Sequence, residues 1–122
     1  MIRLWLFVAG FGGGASVIAG AAAAHLGADP ATATLLINGA LYGMIHAAAL
    51  IAVIALAQGR EPRRGAAFVA GNCFALGIVL FTLAQFLHAL TGVKAFAYAV
   101  PLGGTAFIIG WAALAILAFR RR

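Results

Sequence analysis

The chain has 122 residues, of which 66% are hydrophobic and only 8% charged, with a mean hydropathy of +1.12. Soluble domains carry about 25% charged residues, and a soluble helical bundle needs a polar face on every helix, so this composition excludes both; at this length it leaves room for one unit. The formal net charge of +6 would suggest a nucleic-acid partner in a soluble protein, but here it has a topological origin, and no nucleic acid is expected.

Four apolar stretches predict an all-α integral membrane protein, a single four-transmembrane-helix bundle over residues 1–122. Each is long enough for a hydrocarbon core about 30 Å thick, which takes around 20 helical residues. The first, Leu4–His25, follows Arg3 and ends in Ala21–Ala24, imitating a secretory signal with a small-residue cleavage site. Its apolar run exceeds the roughly 7–15 residues of a signal core, so it reads as an uncleaved first span. Trp5 beside Arg3 reads as an interfacial anchor. Gly27 suits a helix stop, Asp29 before Pro30 suits a turn or N-cap, and Thr32 or Thr34 offers another cap.

The second stretch, Leu35–Ala57, and the third, Ala66–Leu90, contain no charged residue. Between them Gly59 and Pro62 should end one helix and keep it from running into the next. Cys73 is alone, which rules out an intrachain disulfide and leaves a small apolar side chain. The fourth stretch, Phe96–Phe119, has Pro101 inside it. Proline fits the first helical turn, so the expectation is a turn or short helix through Phe96–Val100 and a span from Pro101 to Phe119, rising roughly 28 Å.

With four spans, Arg3, Arg60, Arg63, Arg64 and Arg120–Arg122 share one side with Glu61, while Asp29 and Lys94 lie on the other. Short cytoplasmic loops concentrate Lys and Arg. Both termini are therefore expected in the cytoplasm, with the bilayer of a bacterial inner membrane as the first partner. The terminal arginines can lean on anionic headgroups.

Sixteen glycines form a second pattern. Gly10 and Gly14, Ser16 and Gly20, Gly39 and Gly43, Ala67 and Gly71, and Ala106 and Gly110 each lie four apart. Small residues let helices approach closely in lipid. They are expected to pack the bundle internally, with leftover faces free for a homo-oligomer or a larger membrane complex.

Polar residues inside the spans are where any chemistry must sit, because burying them without partners is costly. Asn38, Tyr42 and His46 are four apart and share a face, with Gly39 and Gly43 marking it as interior. Thr82, Gln85 and His88 are three apart on the third span. The topology places His25, Asn38, Gln85 and His88 near the outer surface, Tyr42 and Thr82 deeper, and His46 near the midplane.

Three chemistries suit these residues. A bis-histidine haem on His25 and His88 is opposed by the closely packing Gly/Ala faces and the missing Cys-x-x-Cys-His. A proton or ion path through Asn38, Tyr42, His46 and Gln85 lacks any carboxylate within a span; interhelical hydrogen bonding accounts for the same residues. Zinc is poorly served by three histidines at different depths without thiolate or carboxylate. No nucleophile elbow, Walker A loop or carboxylate pair occurs, and Gly10–Gly14 lies within an apolar span, where it cradles no phosphate. Trp111 falls mid-helix and reads as packing. No cofactor, metal or enzymatic activity is expected.

Several motifs resemble a known family. Gly20-Ala21-Ala22-Ala23-Ala24-His25 is similar to a Gly-Ala-Phe-Gly-Ala-His segment, and Tyr42 with His46-Ala47 to Tyr-x-x-x-His-Ala. Phe81 and Leu90-Thr91-Gly92 fit the third-helix pattern. Pro101-Leu102-Gly103-Gly104 followed by Gly110-Trp111 resembles Pro-x-Gly-Gly…Gly-Trp. These belong to the small four-span membrane family catalogued as domain of unknown function four-two-three, with bacterial inner-membrane members and a mitochondrial relative in animals. The likeness covers nearly the whole chain. Ala22 and Ala23 depart from it, as does Thr82-Leu83-Ala84-Gln85-Phe86 where the family shows Ser-Gly-Ser-x-Tyr, and His88 has no counterpart. The resemblance implies a four-helix membrane protein with His25, Tyr42 and His46 as family positions, and no established activity. The leading expectation is an accessory or stabilising membrane component or a homo-oligomer. A small transporter or channel is the competing class, and a haem carrier the third.

Overall fold

Lipid offers the backbone no hydrogen-bond partner, so every N–H and C=O must be satisfied within the segment, and helices do this. The computed structural model describes residues 1–58 and 63–119. Those residues form four helices long and apolar enough to cross a membrane. The first span is Ile2–His25 and the second Pro30–Ala57. The third, Gly65–Thr91, joins the α-helix Arg63–Gly77, a π-helical turn Ile78–Leu83 and the α-helix Ala84–Thr91. The fourth is Lys94–Phe119. The expected break at Gly59 and Pro62, and the arginines at 60 and 120–122, lie outside the described residues.

The boundaries follow from local chemistry. Asp29 Oδ1 accepts hydrogen bonds from the backbone N–H groups of Ala31 (3.0 Å) and Thr32 (3.1 Å). Pro30 then occupies the first turn, where its missing N–H costs nothing. The second span thus begins five residues before the expected Leu35. Thr32 and Thr34 do not cap it; Thr34 Oγ1 donates to Pro30 O at 2.7 Å. Hydrogen bonds from Thr32, side chain first and backbone second, hold the Asp29 carboxyl below its ordinary value. Gly27 and Gly92 end the first and third spans in the left-handed region, at φ 61° and 69°, which glycine adopts without a Cβ penalty.

Pro101 departs from expectation. The fourth span runs unbroken from Lys94 through it, so Phe96–Val100 belongs to the span. A proline there removes the N–H that Ala97 O would accept. Membrane helices tolerate this because neighbouring helices and local adjustments compensate; Thr105 Oγ1 donates at 2.9 Å to Pro101 O, a different carbonyl from the freed Ala97 O.

The first span packs along the second and the fourth along the third, while the second–third contact joins the two hairpins. Two apolar clusters result. The larger gathers Trp5, Leu50, Val53, Phe74, Ile78 and Phe107; the smaller gathers Ala19, Leu36, Ala40 and Phe86. Between them Ser16 and Thr82 converge on Gly43. The Gly39–Gly43 seam is intramolecular, as the spacing implied: a Cβ on Gly39 would lie 2.6 Å from Phe86 Cε1. Trp5 is no interfacial anchor. It is 1% exposed, its indole fits over Gly71, and its Nε1–H points at Asn72 Oδ1 at 3.4 Å.

Glycines therefore divide into filled and open positions. Gly103 receives the backbone of the π turn, its missing Cβ falling 2.7 Å from Leu80 C, and a backbone cannot yield as a side-chain tip can. Gly103→Ala is expected to cost about 1–3 kcal/mol. Gly10 has nothing within 4 Å, so Gly10→Ala should be neutral or gain up to about 1 kcal/mol from helix propensity. Melting curves of both variants in one detergent test the contrast.

Candidate functional site

The polar groups that sequence placed on one stripe separate in three dimensions. His46 is buried at 4% exposure, whereas Tyr42 is 43% exposed and Asn38 is exposed as well. What surrounds His46 comes from three spans. Phe107 stacks on the imidazole, with centroids 3.5 Å apart and an interplanar angle of 12°. Phe74 lies 5.6 Å away, tilted, Trp111 meets the ring edge-on at 6.0 Å, and Tyr42 lies parallel at 6.1 Å. Phe81 closes the box between Tyr42 (4.8 Å) and Phe107 (5.6 Å).

Glycine makes this box possible. A Cβ on Gly110 would sit 2.6 Å from Phe74 Cδ1. One on Gly77 would run into the Phe107 ring, and Gly104 faces the Phe81 ring at 3.7 Å. Three phenylalanines thus converge on one histidine because the facing helices lack side chains there. Of the glycines in the Pro101-Leu102-Gly103-Gly104 and Gly110-Trp111 motifs, Gly104 and Gly110 are seats for this aromatic shell.

Two hydrogen bonds fix the state of the ring. Trp111 Nε1–H donates to His46 Nε2 at 3.0 Å, and His46 Nδ1 lies 2.7 Å from Tyr42 O. An indole N–H only donates and a carbonyl only accepts. Nε2 is therefore the acceptor, and Nδ1 carries the proton and donates it to Tyr42 O. Both nitrogens are engaged in the neutral imidazole, leaving no lone pair for a metal.

Trp111 was expected only as packing. It is 46% exposed, yet it supplies the one side-chain hydrogen bond that reaches His46. The signal was available: an indole N–H deep in an apolar span needs an acceptor, and His46 is the polar side chain at that depth. Ser16 was read only as a small residue. It is fully buried, and its hydroxyl donates to Gly12 O at 2.7 Å.

The remaining candidates do not gather around His46. Thr82 and Gln85 are buried one turn outward on the third span. His88 is half-buried, with Nδ1 3.1 Å from Val93 O, and so ties the end of its own helix to the loop. His25 is exposed at the end of the first span. Among the described residues no group of three or more His, Cys, Asp or Glu is placed to hold a metal.

Comparison with known proteins gives concordant results. A family described as "Protein of unknown function (DUF423)" matches residues 19–104, a segment that holds His25, Tyr42, His46 and Pro101–Gly104 and stops before Gly110 and Trp111. The chain is 34% identical over 83 residues to the UPF0382 membrane protein YwdK of Bacillus subtilis (strain 168), covering 68% of this chain and 67% of that protein. It is 34% identical over 71 residues to the UPF0382 inner membrane protein YgdD of Escherichia coli (strain K12), covering 57% of this chain and 54% of that one. The match thus spans little more than half of the Escherichia coli relative. No solved structure matches.

If His46 and Trp111 act as one interspan lock, Trp111→Phe and His46→Leu should each destabilise the bundle by about 0.6–2 kcal/mol. The double variant should then lose less than the sum. His46→Gln, whose amide both accepts and donates, should keep most of the stability. Equal, additive losses in a double-mutant melting cycle would show that the two residues act separately.

Proposed function

The chain belongs to the DUF423 family of membrane proteins, and from that premise we propose that it is a non-catalytic component of the membrane that associates laterally with another transmembrane helix. The observation that carries this reading is the division of its glycines. Gly12, Gly39, Gly43, Gly71, Gly77, Gly103 and Gly110 are each filled by a neighbour from the same chain, whereas Gly10 and Gly14, one turn apart on the first span, have nothing within 4 Å. They open into an apolar groove of about 670 Å³ with Ile18, Ala22, Leu36 and Phe86 among its walls. Helix association in lipid depends on close backbone approach at such small residues. A second helix seated there extends a packing scheme that the bundle already uses on each of its four spans.

The polar interior supports a structural role. His46, the buried histidine of the second span, spends both nitrogens on bonds within the chain. A carrier site needs a group free to exchange its partner, and this one has none to spare. An inner-membrane location accords with the name of the Escherichia coli relative. The arginine distribution supports cytoplasmic termini through the positive-inside rule.

Two measurements test the reading. Light scattering and co-purification after gentle detergent extraction should show an assembly that Gly14→Leu dissociates while the chain's own melting temperature holds. Association unchanged by Gly14→Leu, or a His46-dependent ion flux in vesicles, would overturn it. For orientation, a reporter fused after Arg122 should read cytoplasmic and one inserted between Thr91 and Lys94 should read external; the opposite pattern inverts the topology.

A further inference from the structure

Four hydroxyl groups in these spans follow one habit that Thr82 does not. Ser16, Thr34, Thr91 and Thr105 each donate to the carbonyl four residues back. Thr82 is 0% exposed, and its Oγ1 is the buried side-chain polar atom without a partner among the described residues. The cause is local. Its usual acceptor is Ile78 O, and Ile78–Leu83 is the π turn, where the wider i→i+5 repeat moves carbonyls off the α-helical positions. The Thr82 methyl faces Gly43, 2.6 Å from where a Cβ would stand, so the hydroxyl is turned away from the second span.

Gln85 lies one turn on. It is 4% exposed and makes no hydrogen bond to a described residue, and its Cβ lies against Gly39. π turns and freed carbonyls are places where a water enters a helix ladder, and buried waters typically bind two to four groups left unsatisfied by the protein. Every donor and acceptor here is neutral, which suits water rather than an ion.

We propose that Thr82 and Gln85 hold one internal water molecule at the π turn of the third span. The water satisfies the Thr82 hydroxyl and the Gln85 amide together and donates its remaining bond to a carbonyl that the π turn displaces.

Thr82→Val tests this, because it keeps the shape and removes only the hydroxyl. With a water bound, the variant loses a satisfied network and should melt about 3–6 °C lower than wild type. Thr82→Ser should stay within about 2 °C of wild type. A Thr82→Val protein that melts at or above wild type overturns the proposal, since removing a partnerless hydroxyl relieves a burial penalty. Should the variant fail to fold, wild-type protein in detergent is measured by water-to-protein magnetisation transfer in NMR. A cross-peak at Thr82 is expected, and its absence overturns the proposal. Melting should also be equal in sodium and choline chloride; a sodium-dependent rise would replace water with a cation.

Discussion

Inside a bilayer apolar side chains gain nothing by leaving their surroundings, because acyl chains are as apolar as they are. What holds these four helices together is shape: glycine on one face and a bulky ring on the other. Trp5 over Gly71, Phe86 over Gly39, Phe107 over Gly77 and Phe74 over Gly110 are the same contact repeated between different pairs of spans. The dispersion gained per atom pair is only about 0.1–0.2 kcal/mol, but it is summed over every atom of a seated ring. The rest of the architecture depends on this constraint. It explains why sixteen glycines are compatible with long helices.

Polar groups are then placed where the interlocking rings leave no alternative partner. His46 is bonded through both nitrogens and sandwiched by Phe107, which makes it a fixed point between the second and fourth spans. The Trp5–Asn72 contact plays the corresponding part between the first and third. The two hairpins are thus pinned to each other by two side-chain hydrogen bonds set among aromatic rings. The aromatic shell also dries the bond, so that exchanging it for water is costly.

Four spans, their approximate limits and the Gly39–Gly43 seam were legible in the sequence, because hydropathy over long windows and the small-residue period are properties of single helices. The errors share one origin. Trp5 beside Arg3 looked interfacial because its partner, Asn72, is remote in sequence. Tyr42 lies ring against ring with His46, as four-residue spacing requires, but that spacing fixes a shared face and not its depth of burial, and Tyr42 and Asn38 lie exposed. Pro101 was given the rule for helices in water, where a broken ladder meets solvent and the helix ends. The π turn had no visible signal, since it is set by the approach of Gly103 to the Leu80–Phe81 backbone. The shell around His46 was the least legible part, since Phe74, Phe81 and Phe107 carry no periodic mark that distinguishes them from ordinary lipid-facing phenylalanines.

Among the described residues, the two side-chain hydrogen bonds that cross between spans join residues 67 and 65 positions apart, Trp5 to Asn72 and His46 to Trp111. Membrane helices enter the bilayer in the order of their synthesis. The first span therefore arrives with an indole N–H whose acceptor is still untranslated, and the second with an imidazole in the same position. Neither hairpin is complete on its own, and each waits for a span from the other. Both bonds can close only once the third and fourth helices are in place. A chain truncated after the second span would leave two polar rings stranded in lipid, a mark by which membrane quality control can tell an unfinished copy from a finished one.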